Sequence, residues 1–138
     1  MLYPKVKANQ MTLKNRPDRL DGITVKMKTG YGTLYLTVNE SEGIPFEVFA
    51  VIGKPGTSIA AKTEAIGRLI SLALRANADI KDVINQLKGI EGENSIHVDG
   101  VLVRSIPDAI AQILEKLYVT EKKTKEKGTG NAKSICSK

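Results

Sequence analysis

The sequence predicts an α+β domain: an antiparallel β-meander packed against a long helix, with a shorter helix, a small hairpin and a C-terminal helix. Three observations carry this. Between residues 23 and 52, apolar and polar residues alternate in short runs, the period-two signature of strands. Only a few turn residues separate these runs, which suits antiparallel neighbours. From Ser58 onward the apolar spacing changes to threes and fours, the signature of a helix face.

The first strand is expected over 23–28, where Ile23, Val25 and Met27 point one way and Thr24, Lys26 and Lys28 the other. Thr29-Gly30-Tyr31-Gly32 is a turn signal, and Leu34, Leu36 and Val38 line one face of a second strand over 33–39. A turn from Glu40 to Pro45 leads to a third strand, 46–52. It is apolar on both faces, which predicts a central strand or one covered by a partner. The break at Gly53-Lys54-Pro55-Gly56 opens a helix to about Asn77. Glu64, Arg68, Ser71 and Arg75 define its polar stripe, and Ile59, Ile66, Leu69, Ile70, Ala73 and Leu74 its apolar face, widened by Ala61, Ala65 and Leu72. Gly67, mid-helix, costs about 1 kcal/mol of propensity relative to Ala, so close approach to the sheet or to another helix is expected there. Asp79 caps a shorter helix that presents Ile80, Val83, Ile84 and Leu87 and stops at Gly89. Residues 96–103 read as a hairpin turning at Asp99-Gly100. Ser105 caps the last helix, with Pro107 in its first turn, Asp108 at the capping-box position, and Ile106, Ile110, Ile113, Leu114 and Leu117 facing the core.

A chain of 138 residues with 41% hydrophobic residues has the size and the apolar content of one domain with a core. The formal charge of +6 is unevenly spread. Residues 1–20 and 119–138 each carry +4, and 21–118 carry −2. The expected organisation is therefore a basic N-terminal segment over 1–20, a domain over 21–118, and a disordered Lys-rich tail over 119–138. No run approaches the ~20 apolar residues of a membrane span. The N-terminal residues lack the apolar run of a secretory signal, and the single cysteine, Cys136, has no internal partner. These features point to a cytoplasmic protein without a membrane partner.

The segments KTGYGTLYLTVNE, PFEVFAVIGKPG, TEAIGRLISLALR, NQLKGI and SIPDAI resemble the TSCPD domain, named for its Thr-Ser-Cys-Pro-Asp motif. That domain is found at the C-terminus of adenosylcobalamin-dependent ribonucleotide reductases and in small stand-alone proteins. The resemblance covers about residues 16–118, entered by Arg16-Pro17-Asp18-Arg19-Leu20-Asp21-Gly22, and is most specific from Thr63 to Arg75. It implies four cysteines, in the first turn, at the start of the long helix, after the KGI segment and within the motif. Here these positions hold Tyr31, Ser58, Gly92 and Ile106. Four thiolates would suit tetrahedral zinc; these four residues do not, so no metal and no other cofactor are expected. The large catalytic barrel of the reductase has no counterpart in 138 residues.

The remaining polar residues offer little chemistry. His97, the only histidine, sits in an alternating strand with its side chain expected toward solvent. Ser105 and Asp108 are explained by helix capping. Lys54, Gly56, Thr57 and Ser58 form a strand-to-helix turn whose backbone N–H groups could hold an anion, although the nucleotide-binding pattern is not met and Pro55 removes a donor. Cys136 lacks the second thiol that disulfide exchange requires. A non-enzymatic accessory or regulatory module that binds a protein partner is therefore expected, with either Phe49 and Val51 on the outward face of the third strand or the long helix as the contact. That uncovered face also predicts a homodimer or larger homo-oligomer. The alternative is a nucleic-acid-binding protein using Lys122, Lys123, Lys125 and Lys127 of the tail.

Overall fold

The computed structural model describes residues 12–121. Strands β1 (Asp21–Thr29), β2 (Gly32–Ser41) and β3 (Ile44–Ile52) form an antiparallel sheet in sequence order. Helices α1 (Ser58–Arg75) and α2 (Ile80–Leu87) follow, then a hairpin of β4 (Ile96–Val98) and β5 (Val101–Val103), and α3 (Ile106–Glu115), which continues into a π-helical turn over Lys116–Thr120. The α+β class and the element order are those the sequence predicts. Each strand of the meander runs two or three residues longer than its alternating core, because the turns are tighter than their composition suggests. Glu42 and Gly43 (φ 53° and 75°) connect β2 to β3, and Asp99 and Gly100 (φ 50° and 80°) connect β4 to β5. Paired positive φ angles of this kind match the twist of the flanking strands.

The core lies on one face of the sheet. Leu34, Leu36 and Val38 of β2 and Val48, Ala50 and Ile52 of β3 are buried there. Opposite them α3 presents Ala109, Ile110, Ile113 and Leu114 to the β1–β2 side, and α1 packs along β3. Tyr118, in the π-helical turn, is buried and donates its hydroxyl proton to Glu40 Oε1 at 2.6 Å. Burial, then the hydrogen bond to Glu40 and its charge, push this phenol well above its ordinary value.

The structure corrects the sequence in two connected places. The third strand is not central; it is an edge, and β2 lies in the middle. What covers the edge is α1, and it does so with an unexpected face. Thr63, Gly67, Ile70 and Leu74 are the buried residues of the helix, while Leu69 and Leu72, read as core-facing, are 66% and 47% exposed. Ser71, read as part of the outer polar stripe, faces β3: its hydroxyl accepts from Val48 N–H at 3.0 Å, and its one proton is shared between Val48 C=O and Gly67 C=O, each at 3.0 Å. A Cβ on Gly67 would lie 3.2 Å from Ala50 N, so the expected close approach is made to the edge strand itself. The physical reason is steric. Only the thin side of the helix can come near enough for a hydroxyl to stand in for the missing strand.

The segment before β1 is tied to the same region. Arg75 donates from Nε and Nη2 to Lys14 O at 3.0 and 2.9 Å, and Lys14 N–H donates to Arg75 O. Arg16 forms a forked pair with the buried Glu47, Nη2 to Oε1 at 2.9 Å and Nε to Oε2 at 3.1 Å, and Asn39 Nδ2 adds a bond at 2.9 Å. Burial pushes the Glu47 carboxyl up, but the hydrogen bonds from Arg16 and Asn39 and the charges of Arg16 and Arg75 outweigh it and leave it lowered.

Two measurements check this account. Ser71→Ala leaves Val48 N–H and C=O without their partner and should cost about 1–2 kcal/mol in urea unfolding; an unchanged midpoint would mean that the edge does not need its cap. A depressed folded-state carboxyl stabilises above its unfolded pKa and loses that contribution as pH falls through the folded value. Wild type should therefore lose more stability than Glu47→Gln as pH drops below the ordinary carboxylate value of 4.5.

Candidate functional site

Two regions hold the residues that the sequence singles out. The first lies where the β1–β2 turn, the α2–β4 loop and the start of α3 meet. A Cβ on Gly30 would overlap Asn94 O, and one on Gly92 would lie 2.9 Å from Arg104 O and 3.1 Å from Ser105 Cβ. Tyr31, Gly92 and Ile106 thus belong to one neighbourhood. Ser58 opens α1 just beyond β3, whose last residue Ile52 pairs with Leu34 near the same turn. The side chains do not fit a metal. Tyr31 and Ser58 are exposed, Gly92 has no side chain, and Ile106 is buried in the core. Among the described residues no three or more of His, Cys, Asp and Glu are grouped to hold an ion.

A buried carboxylate joins these segments instead. Asp108, 1% exposed, accepts from Gly89 N–H at 2.8 Å, Arg104 N–H at 3.0 Å and Gln112 Nε2 at 2.8 Å. Ser105 Oγ accepts from Asp108 N–H at 3.1 Å and donates to Ile90 O at 2.7 Å. The capping reading of Ser105 holds. Asp108 does not return the bond to Ser105 as a capping box would; it spans three segments, which the local spacing could not reveal. Asp79 caps α2 by accepting from Lys81 N–H at 2.8 Å. His97 is exposed on β4.

The second region is the groove between β3 and α1. Its floor is the close contact of Val48 and Ala50 with Gly67 and Ser71; Phe49 and Val51 form one wall, and Glu64, Arg68 and Leu72 the other. The groove encloses about 340 Å³. Phe49 and Val51 are 52% and 59% exposed, so the outward-facing pair expected from the alternation is where the sequence put it. The wall formed by Leu72 was missed, because a wide apolar arc on a helix does not say which part faces in. Further along the groove is the turn with Lys54, Gly56, Thr57 and Ser58, all exposed. Thr57 caps α1: its hydroxyl donates to Lys54 O at 2.8 Å and accepts from Ala60 N–H at 3.3 Å. That satisfies one of the helix-start amides on which an anion would draw. Lys122, Lys123, Lys125 and Lys127 lie outside the described residues.

The family model of the TSCPD domain matches residues 5–118. This chain belongs to the TSCPD domain family. No curated protein and no solved structure matches it. Membership gives the Asp108 network its meaning. The family's Thr-Ser-Cys-Pro-Asp motif falls on Arg104-Ser105-Ile106-Pro107-Asp108; the Ser caps α3, the Pro occupies its first turn, and the Asp ties the preceding loop to it. In this chain these three act structurally. Among the described residues no helix is long and apolar enough to cross a membrane.

A chelator should therefore leave the melting temperature unchanged, because Tyr31, Ser58, Gly92 and Ile106 supply no set of ligands whose metal could contribute folding energy. Asp108→Ala should lower stability by about 3 kcal/mol, since three buried donors lose their acceptor together. Unfolding by chelator, with zinc released in stoichiometric amount, would reverse this assignment.

Proposed function

We propose that this TSCPD-family chain is a non-catalytic accessory module, connected to ribonucleotide reduction through its family, that binds a protein at the β3–α1 groove. The observation that carries the reading is the exposure of Phe49, Val51 and Leu72 around one groove. Apolar side chains that converge on a cleft rimmed by charge are the usual form of a protein contact. The polar groups support a binding role over catalysis. Ser105 and Asp108 are occupied by backbone donors and acceptors, His97 stands alone on a strand, and the shifted groups Arg16, Glu47 and Tyr118 sit in structural pairs.

The partner we propose is a second copy of the chain. Glu64 and Arg68 lie on the same wall, 3.5 Å apart and both largely exposed. Two α1 helices meeting antiparallel about a two-fold axis set each Glu64 against the other's Arg68, so the surface is complementary to itself. A nucleic-acid reading rests on the basic ends, each at +4, and would appear as DNA binding that weakens steeply with salt.

Light scattering at micromolar concentration should give a dimer mass, and Phe49→Glu a monomer with an unchanged far-UV spectrum. A monomeric wild type would refute the dimer. Tight, salt-insensitive retention of Phe49→Glu as a dimer would move the interface elsewhere.

A further inference from the structure

The two edges of the sheet are treated differently. The edge of β3 is closed by α1, whereas β1 has no neighbour on its outer side among the described residues. Which of its backbone groups face outward follows from the register. Ser71 takes both the N–H and the C=O of Val48, and in a strand these two groups of one residue point the same way. Val48 therefore faces away from β2, and its cross-strand partner Val38 faces β1, where it pairs with Ile23. Alternating along the ladder, Ile23, Val25 and Met27 bond to β2, and Gly22, Thr24, Lys26 and Lys28 present their N–H and C=O outward. No hydrogen bond to any of these outward groups is made by a described residue.

The side chains along this edge are sorted by face. On the core side, Val25 and Met27 are half-buried and Ile23 is 49% exposed. On the outer side stand Thr24, Lys26 and Lys28, and neither lysine is in an ion pair among the described residues. An added strand would meet apolar side chains on one face and ammonium groups on the other.

We propose that the β1 edge takes up an extended acidic segment of a partner protein as a fourth strand, with carboxylates set against Lys26 and Lys28 and apolar side chains set against Ile23, Val25 and Met27. Backbone hydrogen bonds supply the affinity in strand addition and alternate side chains the selectivity. Charge chooses among the occupants. A second β1 would bring Lys26 and Lys28 of two copies onto one face, and like charges across a strand pair are destabilising. The chain's own ends, at +4 each, are disfavoured for the same reason. Lysine on an edge deters neutral and basic strands; for an acidic strand the same residues are attractive. The surface is separate from the β3–α1 groove, so it can be tested independently of the dimer.

The probe is a short synthetic peptide alternating glutamate and valine, compared with one alternating lysine and valine, using the full chain. Titration should show saturable binding of the acidic peptide alone. Amide exchange should slow at Thr24, Lys26 and Lys28 and stay unchanged at Ile23, Val25 and Met27. Lys26→Glu with Lys28→Glu should weaken binding by about tenfold, since each cross-strand pair turns from attractive to repulsive. Lys26→Pro removes an outward N–H without breaking a β1–β2 bond and should weaken it further; a normal melting temperature shows that the variant folds. Phe49→Glu should leave peptide binding intact. Equal binding of the two peptides, no binding of either, or protection at Ile23, Val25 and Met27 would overturn the proposal. So would tighter binding of a single-stranded oligonucleotide that Lys26→Pro does not affect, because the lysines would then act as phosphate contacts and not as part of a strand edge.

Discussion

The contact between α1 and the edge of β3 determines most of what surrounds it. A three-stranded sheet leaves two rows of backbone polar groups without partners, and a buried row must be satisfied or covered. Here the hydroxyl of Ser71 serves Val48 on both its donor and its acceptor. That geometry requires the helix to approach within van der Waals range of the strand backbone, which Gly67 permits against Ala50. With the slender face turned inward, the bulkier residues at 69 and 72 have to turn outward. The groove and its apolar wall are thus by-products of closing an edge.

At the opposite end of the core, the fold solves a different problem. The junction of the first hairpin turn, the loop after α2 and the start of α3 is where the resemblance places three of the family's four cysteines, at Tyr31, Gly92 and Ile106. A metal would join segments distant in sequence with strong, few bonds. This chain joins them with one buried carboxylate that reaches Gly89, Arg104 and Gln112 and with an apolar Ile106 set into the core. Several modest hydrogen bonds and some buried area hold the junction together, and the motif residues Ser105 and Asp108 each have structural partners there.

What could be read from the sequence was local. The Asp99-Gly100 hairpin, the caps at Asp79 and Ser105, and the alternation that sends Phe49 and Val51 outward all follow from residues within a few positions of each other. The close approach at Gly67 was legible because a glycine inside a helix asks for a reason. What could not be read depended on partners far along the chain. Ser71 sits at a spacing shared with Glu64 and Arg68, and only the position of Val48 shows that it faces in. The both-faces-apolar pattern of β3 fits a central strand as well as an edge strand under a helix, and choosing between them needs the strand order. The three acceptor contacts of Asp108 span up to nineteen residues, beyond any spacing rule for a capping residue.

The division of labour over the sheet also bears on how the chain is made. The core side of β1 and β2 is covered by α3, and Tyr118 bonds to Glu40 across 78 positions. During vectorial synthesis the whole meander and α1 emerge while Leu34 and Leu36 still lack the helix that shields them. Until residues 106–118 have left the ribosome, a nascent chain carries an open apolar sheet, the kind of surface that chaperones hold and that aggregates when they do not. The last helix is therefore the lid whose arrival turns an adhesive intermediate into a closed domain, and late truncations are harsher than their length suggests.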